Sequence, residues 1–381
     1  MKELNENQKY QLAFNRFQKF GPVKMRLIES YYSNIKEAFY SSSIMLESAG
    51  LNSDLVYKFI KWRKTFNLES ELDELQKENI EIITWHDQEY PALLLEIHSP
   101  PPILYYRGNV ALLSHGLNRL AIVGSREHSA YANKIISHLI APLCKKGIII
   151  VSGLAHGVDT LAHQETLISR GKTIAVLGCG LKESIVYPYS NRELAKNIIK
   201  NSGLIISEFP PSIGPLAQNF PQRNRIIAGL CKATLVIESK TKSGALITAY
   251  QALEQNREVL AVPGNIFSDF SEGPNNLIKR GAKTILKADD VLEVFNLNDT
   301  VLKKKSKQNK KYNNQAELLL ENEAENTIYS LIKISSERAE KITSDEICEF
   351  SKLDTATINS TLSILEIKDL IKNDFGNYSL M

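Results

Sequence analysis

Residues 120–180 read LAIVGSREHSAYANKIISHLIAPLCKKGIIIVSGLAHGVDTLAHQETLISRGKTIAVLGCG, with three short apolar runs separated by two longer amphipathic stretches. The runs at 120–124, 148–152 and 173–178 have the length of buried strands, and the stretches between them have helical periodicity. Parallel strands need crossover helices to connect them. These residues therefore predict a parallel sheet whose two faces are covered by helices.

The same alternation continues on both sides of this stretch. Two earlier runs, at 81–85 and 103–107, flank a turn with three consecutive prolines. Four later runs follow helix-like stretches, at 204–207, 234–238, 259–262 and 283–286. We therefore predict the α/β class, with one sheet domain over residues 80–297.

Residues 1–75 carry apolar residues at three- and four-residue spacing, which predicts an N-terminal helical domain. A break at residues 21–24, GPVK, joins two of these helices. A glycine turn followed by a lysine suits a helix–hairpin–helix, which directs backbone N–H groups at a DNA phosphate. A plain connector between two packed helices is the simpler interpretation of the same residues.

The C-terminal part divides into a linker and a small domain. Residues 303–311, KKKSKQNKK, contain six lysines and no apolar residue, which predicts a disordered linker over 298–323. Residues 324–381 then show three helical stretches, with Thr343 or Ser344 as a candidate N-cap, and a hairpin near residues 375–378. This order predicts a winged-helix domain.

The charge is unevenly distributed along the chain. The 46 basic and 43 acidic residues give a formal net charge of +3, which excludes a histone-like chain. By segment, residues 111–290 carry 21 basic and 13 acidic groups, a net charge of +8, whereas residues 1–110 and 291–381 have net charges of −2 and −3. An anion-binding surface is therefore expected on the sheet domain.

The four cysteines lie far apart in the sequence, without the spacing of a disulfide framework or a zinc module. The N-terminus has no apolar core of signal-peptide length, and no stretch is apolar enough to span a bilayer. We expect a cytoplasmic protein that does not associate with membranes.

Small and polar residues follow several of the predicted strands. Ligands of an open parallel sheet bind beyond the carboxyl ends of its strands, where glycine admits a phosphate and helix N-termini offer free N–H groups. Several such ends together predict an anion pocket, although each glycine alone fits an ordinary tight turn. The candidates are Gly124, Ser125, Arg126, Lys172, Lys240, Lys242, Ser243 and Gly244.

The segment 220–227, FPQRNRII, begins a predicted helix with an aromatic residue and two arginines around an asparagine. Phe220 suits stacking on a base, and Arg223, Asn224 and Arg225 suit contacts with phosphates and base edges. A surface helix with Phe220 packed inward fits the same pattern.

No catalytic set is apparent in the sequence. His156 and Asp159 share one loop without a suitably placed nucleophile, and His163 and Glu165 fit solvent-facing positions of the next helix. The chain contains neither G-x-G-x-x-G after a strand nor G-x-x-x-x-G-K-[ST]. We therefore predict no enzymatic activity, no metal site and no cofactor.

Eight short motifs occur in one order between residues 80 and 290. They are GSR (124–126), SGLAHGVD (152–159), YPYSN (187–191), SEFPP (207–211), FPQRNRII (220–227), SGALIT (243–248), AVPG (261–264) and GPNNLI (273–278). Together they resemble the DNA-processing protein A family, DprA or Smf, with looser similarity in the N-terminal helices and the C-terminal domain.

This resemblance implies an extended Rossmann fold, flanked by a module similar to a sterile alpha motif and by a winged helix. It implies a homodimeric protein of natural transformation that binds and protects incoming single-stranded DNA and loads the RecA recombinase onto it, without catalysis. The family's DNA-contacting residues fall on Arg126, Lys172, Phe220 and Asn224 here. Ala217 stands where the family pattern has a basic residue.

Two other functions are open from the sequence. A Rossmann-type sheet also binds small nucleotides, so the chain could be a nucleotide-binding enzyme or sensor, with Asp159 or Glu208 as its acid or base. A transcription factor acting through the C-terminal domain is disfavoured, because residues 312–381 carry 6 basic and 13 acidic groups.

Overall fold

The computed structural model of the chain describes residues 4–297, 320, 322–337, 341–368, 370–374 and 376–380. Internal contacts divide the chain into two compact units, Met1–Leu297 and Asn298–Met381. The lysine run at 303–311, on which the expected linker depends, lies outside the described residues. Among the helices that the structure describes, none is long and apolar enough to cross a membrane.

Six short helices form the beginning of the first unit. They are α1 (Glu6–Arg16), α2 (Pro22–Tyr31), α3 (Ile35–Tyr40), α4 (Ser43–Ser48), α5 (Ser53–Arg63) and α6 (Leu68–Lys77). Their interior is aromatic, with the Phe14 and Phe59 rings stacked at a centroid distance of 5.2 Å. Gly21 caps α2, and Pro22 occupies its first position, where a missing N–H removes no helical hydrogen bond.

Nine strands of the first unit form one sheet. They are β1 (Glu81–Thr84), β2 (Ile103–Gly108), β3 (Arg119–Val123), β4 (Ile149–Ser152), β5 (Thr173–Val176), β6 (Leu204–Ser207), β7 (Ala233–Val236), β8 (Glu258–Ala261) and β9 (Lys283–Thr284). Their order is β1-β2-β6-β5-β4-β3-β7-β8-β9. Strands β3 to β9 pair in parallel, as their crossover helices predict, whereas β2 runs antiparallel to both β1 and β6.

Helices cover both faces of this sheet. They are α7 (Ala92–Leu95), α8 (Ala130–Lys145), α9 (Val158–Ile168), α10 (Arg192–Lys200), α11 (Asn219–Gly229), α12 (Gly244–Glu254), α13 (Asp269–Lys279) and α14 (Ala288–Val294). Alternate residues of β3 belong to different cores: Ala121 shares one core with Ile226 of α11, and Ile122 shares the other with Ile140 of α8. This two-residue alternation is that of a strand buried on both faces.

His163 of α9 corrects one expectation from the sequence. Its side chain is buried rather than solvent-facing, and its Nδ1 lies 2.7 Å from Oγ1 of Thr173 in β5. Burial lowers the pKa of His163 to about 3, so the imidazole is neutral. The expectation was wrong because α9 packs against the sheet through this face, whereas Glu165 is only partly buried.

Within the residues that the structure describes, the second unit contains three helices and three short strands. Its elements are α15 (Glu323–Glu337), β10 (Ile342–Thr343), α16 (Ser344–Ser351), α17 (Thr355–Ile367), β11 (Ile371–Asp374) and β12 (Asn377–Leu380). Thr343 caps α16, and the Glu346 side chain accepts a hydrogen bond from the Thr343 N–H in return. The hairpin of β11 and β12 is antiparallel, and β10 pairs with β12.

Candidate nucleic-acid interface

A pocket of about 520 Å³ opens at the carboxyl edge of the sheet. After the neighbouring strands β3 and β7, the chain continues toward opposite sides of the sheet, from β3 to β4 and from β7 to β8. Open α/β sheets bind ligands at such a switch point. Ten of the twelve predicted site residues line this pocket. They are Gly124, Ser125, Arg126, Phe220, Arg223, Asn224, Lys240, Lys242, Ser243 and Gly244.

The loop after β3 forms one wall of the pocket and exposes Arg126. The N–H of Ser125 donates to O of Glu238 at 2.7 Å, and O of Ser125 accepts from the N–H of Val158 at 3.1 Å. A Cβ on Gly124 would lie only 2.5 Å from the Val158 side chain, so a larger residue does not fit there. The backbone of the loop is therefore fixed, while the Arg126 side chain points into solvent.

The N-terminus of α12 forms the opposite wall. Ser243 caps the helix, and its Oγ accepts from the N–H of Ala245 at 3.3 Å. Lys240 and Lys242 in the preceding loop are exposed, and Lys240 Nζ lies 3.3 Å from a carboxylate oxygen of the exposed Glu127. Helix N–H groups and two lysines give this wall the positive potential that an anion requires.

The ring of Phe220 forms the aromatic part of the pocket. Gly178 makes room for it, because a Cβ at that position would lie 2.9 Å from the ring. The Arg126 guanidinium lies 5.7 Å from the ring centroid, and the Tyr187 ring lies 5.8 Å away at an angle of 57°. Phe220 is half-buried, so it both packs inward and presents ring surface to the pocket.

Arg223 lines the pocket, but its guanidinium is directed into the protein and not out of the pocket. Its side chain is buried, and Nη1 donates to O of Gly153 at 2.6 Å and to O of Val176. A Cβ on Gly153 would lie 2.5 Å from the guanidinium. Arg223 therefore links the ends of β4 and β5, because the start of α11 turns it toward the sheet.

Asn224 connects two helices at the pocket. Its Nδ2 donates to O of Gly244 at 3.2 Å, and its Oδ1 accepts from Nε of Arg223 at 3.2 Å. Only 9% of the residue is exposed. Asn224 thus aligns α11 with the N-terminus of α12 and so shapes the pocket.

Two predicted site residues lie outside the pocket. Arg225 forms an ion pair with Glu208, and both side chains are largely buried on the other side of α11. Lys172 directly precedes β5, so it lies at the amino edge of the sheet, where its Nζ donates to O of Asn201 at 2.9 Å. Lys172, which was expected near the anion pocket, is separated from it by the direction of β5. Arg225, which was expected to contact DNA as part of the segment 220–227, is turned away from the pocket by the rotation of α11.

Tyr187 lines the pocket and was not among the predicted site residues. It is 43% exposed and follows the glycine-rich end of β5. The motif YPYSN (187–191) was noted only as part of the family resemblance, and the distance along the chain to Phe220 concealed that the Tyr187 and Phe220 rings meet. The occurrence of an aromatic residue in a motif that follows a predicted strand of the sheet was the signal that could have identified it.

The arrangement suits binding better than catalysis. Its exposed charges are the cations Arg126, Lys240 and Lys242 and the single carboxylate of Glu127. Asp159, the other acid of the pocket, is buried, and its carboxylate accepts hydrogen bonds from the N–H groups of Gly153 and Ala155. Within the described ranges, no group of three or more His, Cys, Asp or Glu side chains could hold a metal ion.

The fold and the pocket define a doubly wound α/β protein with cations and an aromatic ring at its switch point. A family model, DNA recombination-mediator protein A, matches residues 81–296, more than half of the chain. The chain therefore belongs to this family.

Individual relatives agree with this assignment. The DNA processing protein DprA of Bacillus subtilis is 43% identical over 218 residues, which are 57% of this chain and 72% of that protein. A crystal structure of DprA from Streptococcus pneumoniae is 34% identical, with a TM-score of 0.64, and covers 77% of this chain and 98% of the solved one. DprA from Helicobacter pylori, studied for its single-stranded DNA binding mode, is 28% identical, with a TM-score of 0.50, and covers 58% and 96%.

Proposed function

We propose that this chain is a non-enzymatic DNA-processing protein that binds single-stranded DNA, without sequence preference, in the pocket at the carboxyl edge of the sheet. The observation that carries this proposal is the pairing of Arg126 with the half-exposed ring of Phe220, 5.7 Å apart. A cation holds a backbone phosphate while a ring stacks on a base, and neither contact depends on base identity. The single-stranded DNA binding described for the Helicobacter pylori relative supports the same ligand.

The competing function is a Rossmann-type nucleotide-binding enzyme or sensor, and the pocket supports its enzymatic form less well than DNA binding. Asp159 and Glu208 were the two candidate acids or bases. Burial raises the pKa of both carboxyl groups, but Asp159 is engaged with two backbone N–H groups and Glu208 with Arg225. Neither carboxylate is available to a substrate in the pocket.

The wider role follows from family membership. We propose that the protein acts in natural transformation, as a cytoplasmic homodimer that protects incoming strands and loads the RecA recombinase onto them. The helices of residues 1–75 would form a sterile-alpha-motif-like domain with a helix–hairpin–helix turn at Gly21. Residues 80–297 would form the DNA-binding domain, 298–323 a linker, and 324–381 a winged helix. The order of helices and strands in the second unit supports that last assignment.

Fluorescence anisotropy with a labelled oligothymidylate tests the DNA-binding proposal. Arg126→Ala is expected to lower affinity by roughly tenfold or more, because a charge-assisted contact contributes about 1.5–3 kcal/mol. It should also reduce the slope of log affinity against log salt by about 0.7 for the lost phosphate contact. Phe220→Ala is expected to lower affinity by about 1–3 kcal/mol while leaving the salt slope unchanged.

Lys172→Ala is the matched control. It removes an exposed lysine from the opposite edge of the sheet, so affinity and salt slope should stay at the wild-type values. Competition with a double-stranded oligonucleotide at two salt concentrations defines the preferred form of DNA. Unchanged affinity in Arg126→Ala and Phe220→Ala would refute the proposed site. Loss of affinity in Lys172→Ala alone would indicate that DNA binds at the amino edge of the sheet.

A further inference from the structure

We propose that the DNA-binding surface continues beyond the pocket, from Tyr187, which lines the pocket, to Tyr189, and that these two rings stack on the next bases of the strand. This inference rests on the proposed binding of single-stranded DNA at Phe220. It adds a second subsite to that surface, formed by the turn that follows β5.

The turn that carries the two tyrosines is firmly attached to the sheet unit. Asn191 is buried, and its Nδ2 donates to O of Leu154 at 2.8 Å. Arg192, at the start of α10, donates from Nε to O of Val186 at 3.0 Å. Because the turn is fixed at this end, holding a ligand there requires little additional ordering.

Both tyrosine rings are accessible to a base. Tyr187 is 43% exposed and Tyr189 75% exposed, and their Cα atoms are at most about 7 Å apart. The Arg192 guanidinium lies 4.6 Å from the centroid of the Tyr189 ring. An exposed ring beside a cation offers a stacking surface for a base and a charge for its phosphate.

The strand order gives the bound DNA a path. Tyr187 follows β5, Arg126 follows β3 and Lys240 follows β7, and these strands are neighbours in the order β5-β4-β3-β7. At about 4.8 Å between strands, β5 and β7 are about 14 Å apart, so the edge between them is long enough for only a few nucleotides of a single strand. DNA lying along this edge leaves the pocket at Tyr187, and its next base meets Tyr189.

Length-dependent binding tests this extension. Affinity is measured for oligothymidylates of roughly four and roughly ten nucleotides, the second long enough to pass beyond the pocket. Tyr189→Ala is expected to weaken the longer oligomer by roughly five- to a hundredfold and to leave the shorter one unchanged. Tyr189→Phe should bind both like wild type, because stacking needs only the ring. Tyr57→Ala, which removes an exposed tyrosine from α5, is the matched control and should change neither.

A spectroscopic variant reports the contact directly. Tyr189→Trp should lose fluorescence on binding the longer oligomer and keep it on binding the shorter one. If Tyr189→Ala binds both oligomers with wild-type affinity, or loses affinity for both equally, the extension is overturned. The pocket remains supported in that case if Phe220→Ala lowers the affinity for both oligomers. If the wild-type protein binds neither oligomer, or if Phe220→Ala binds both normally, the proposed function itself fails.

Discussion

Arg223 sits at the base of the pocket, where two strands end and where Asp159 is also buried. Its guanidinium donates to O of Gly153 and O of Val176, and burial lowers its pKa although the nearby Asp159 carboxylate counteracts this. A buried cation with these partners stabilises the arrangement of the loops. Arg126, on the facing loop, is exposed and free to contact a ligand.

This contrast predicts that Arg223 contributes to the stability of the fold, whereas Arg126 contributes little to stability and is available for binding. Arg223→Ala should lower the free energy of unfolding by about 3–5 kcal/mol, because it leaves buried carbonyl groups and the Asp159 carboxylate without their cation. Urea unfolding followed by circular dichroism measures this loss. Arg126→Ala should unfold within about 0.5 kcal/mol of wild type, as expected for an exposed side chain. Equal stability of the two variants would contradict the structural role of Arg223.

The residue types of the site could be predicted, but their orientations could not. The strand-end glycines and the segment 220–227 identified most of the pocket, because each can be recognised from a few consecutive residues. Arg223 and Arg225 differ by two positions on one helix, and only the packing of α11 decides that one contacts the loops and the other Glu208. Lys172 could have been separated in advance, since it precedes its strand and so belongs to the opposite edge.

Among the elements, the parallel strands were predictable because each apolar run is short and followed by a helix. The antiparallel direction of β2 was not predicted, because an apolar run alone does not indicate whether a strand pairs in parallel or antiparallel. Residues 85–102, between β1 and β2, contain only the one-turn helix α7 and thus no crossover over the sheet. The register of β2 is also set by its neighbours in the sheet, for example where Tyr105 lies opposite Ser207 of β6.

The turn after β1 also connects the N-terminal helices to the sheet. Nε2 of His86 lies 3.0 Å from Oε1 of Glu29 in α2, and the Trp85 indole donates to the same oxygen at 3.1 Å. The hydrogen bond with Glu29 raises the pKa of His86 above its usual value of 6.5, and the charge of Asp87 acts in the same direction. A raised pKa means that the contact stabilises the fold fully below about pH 6.5 and less as the pH rises through the folded-state pKa.

His86→Ala should therefore destabilise the protein more at about pH 5.5 than at about pH 8.5. The difference is expected to be small, because the side chain is half exposed and solvent screens the pair. Thermal unfolding at both pH values measures it, with variants at the exposed His115 as the control. A larger effect at the higher pH would show that protonation of His86 does not hold α2 against this turn.

For the whole molecule, the excess of basic residues lies within the first unit. Residues 111–290 have a net charge of +8 and contain every cation of the pocket, whereas residues 291–381 have a net charge of −3. The second unit has a hydrophobic core of its own, with Ile328, Ile332 and Leu365 buried in it. Helix α17 carries no lysine or arginine. Because the balance of residues 291–381 is negative even with the six lysines at 303–311, the electrostatic attraction to DNA should reside mainly in the first unit.

Removing everything after Leu297 tests this at the scale of the molecule. The shortened protein retains the sheet, its cores and the pocket, so its affinity for an oligothymidylate should stay within about twofold of that of the full chain. Its salt slope should also be unchanged, because the number of phosphate contacts is the same. Adding Arg126→Ala to the shortened protein serves as the control and should cost as much affinity as it does in the full chain. A tenfold loss on truncation alone, with a shallower salt slope, would mean that residues after 297 contribute cations to the DNA interface despite the acidic balance of that unit.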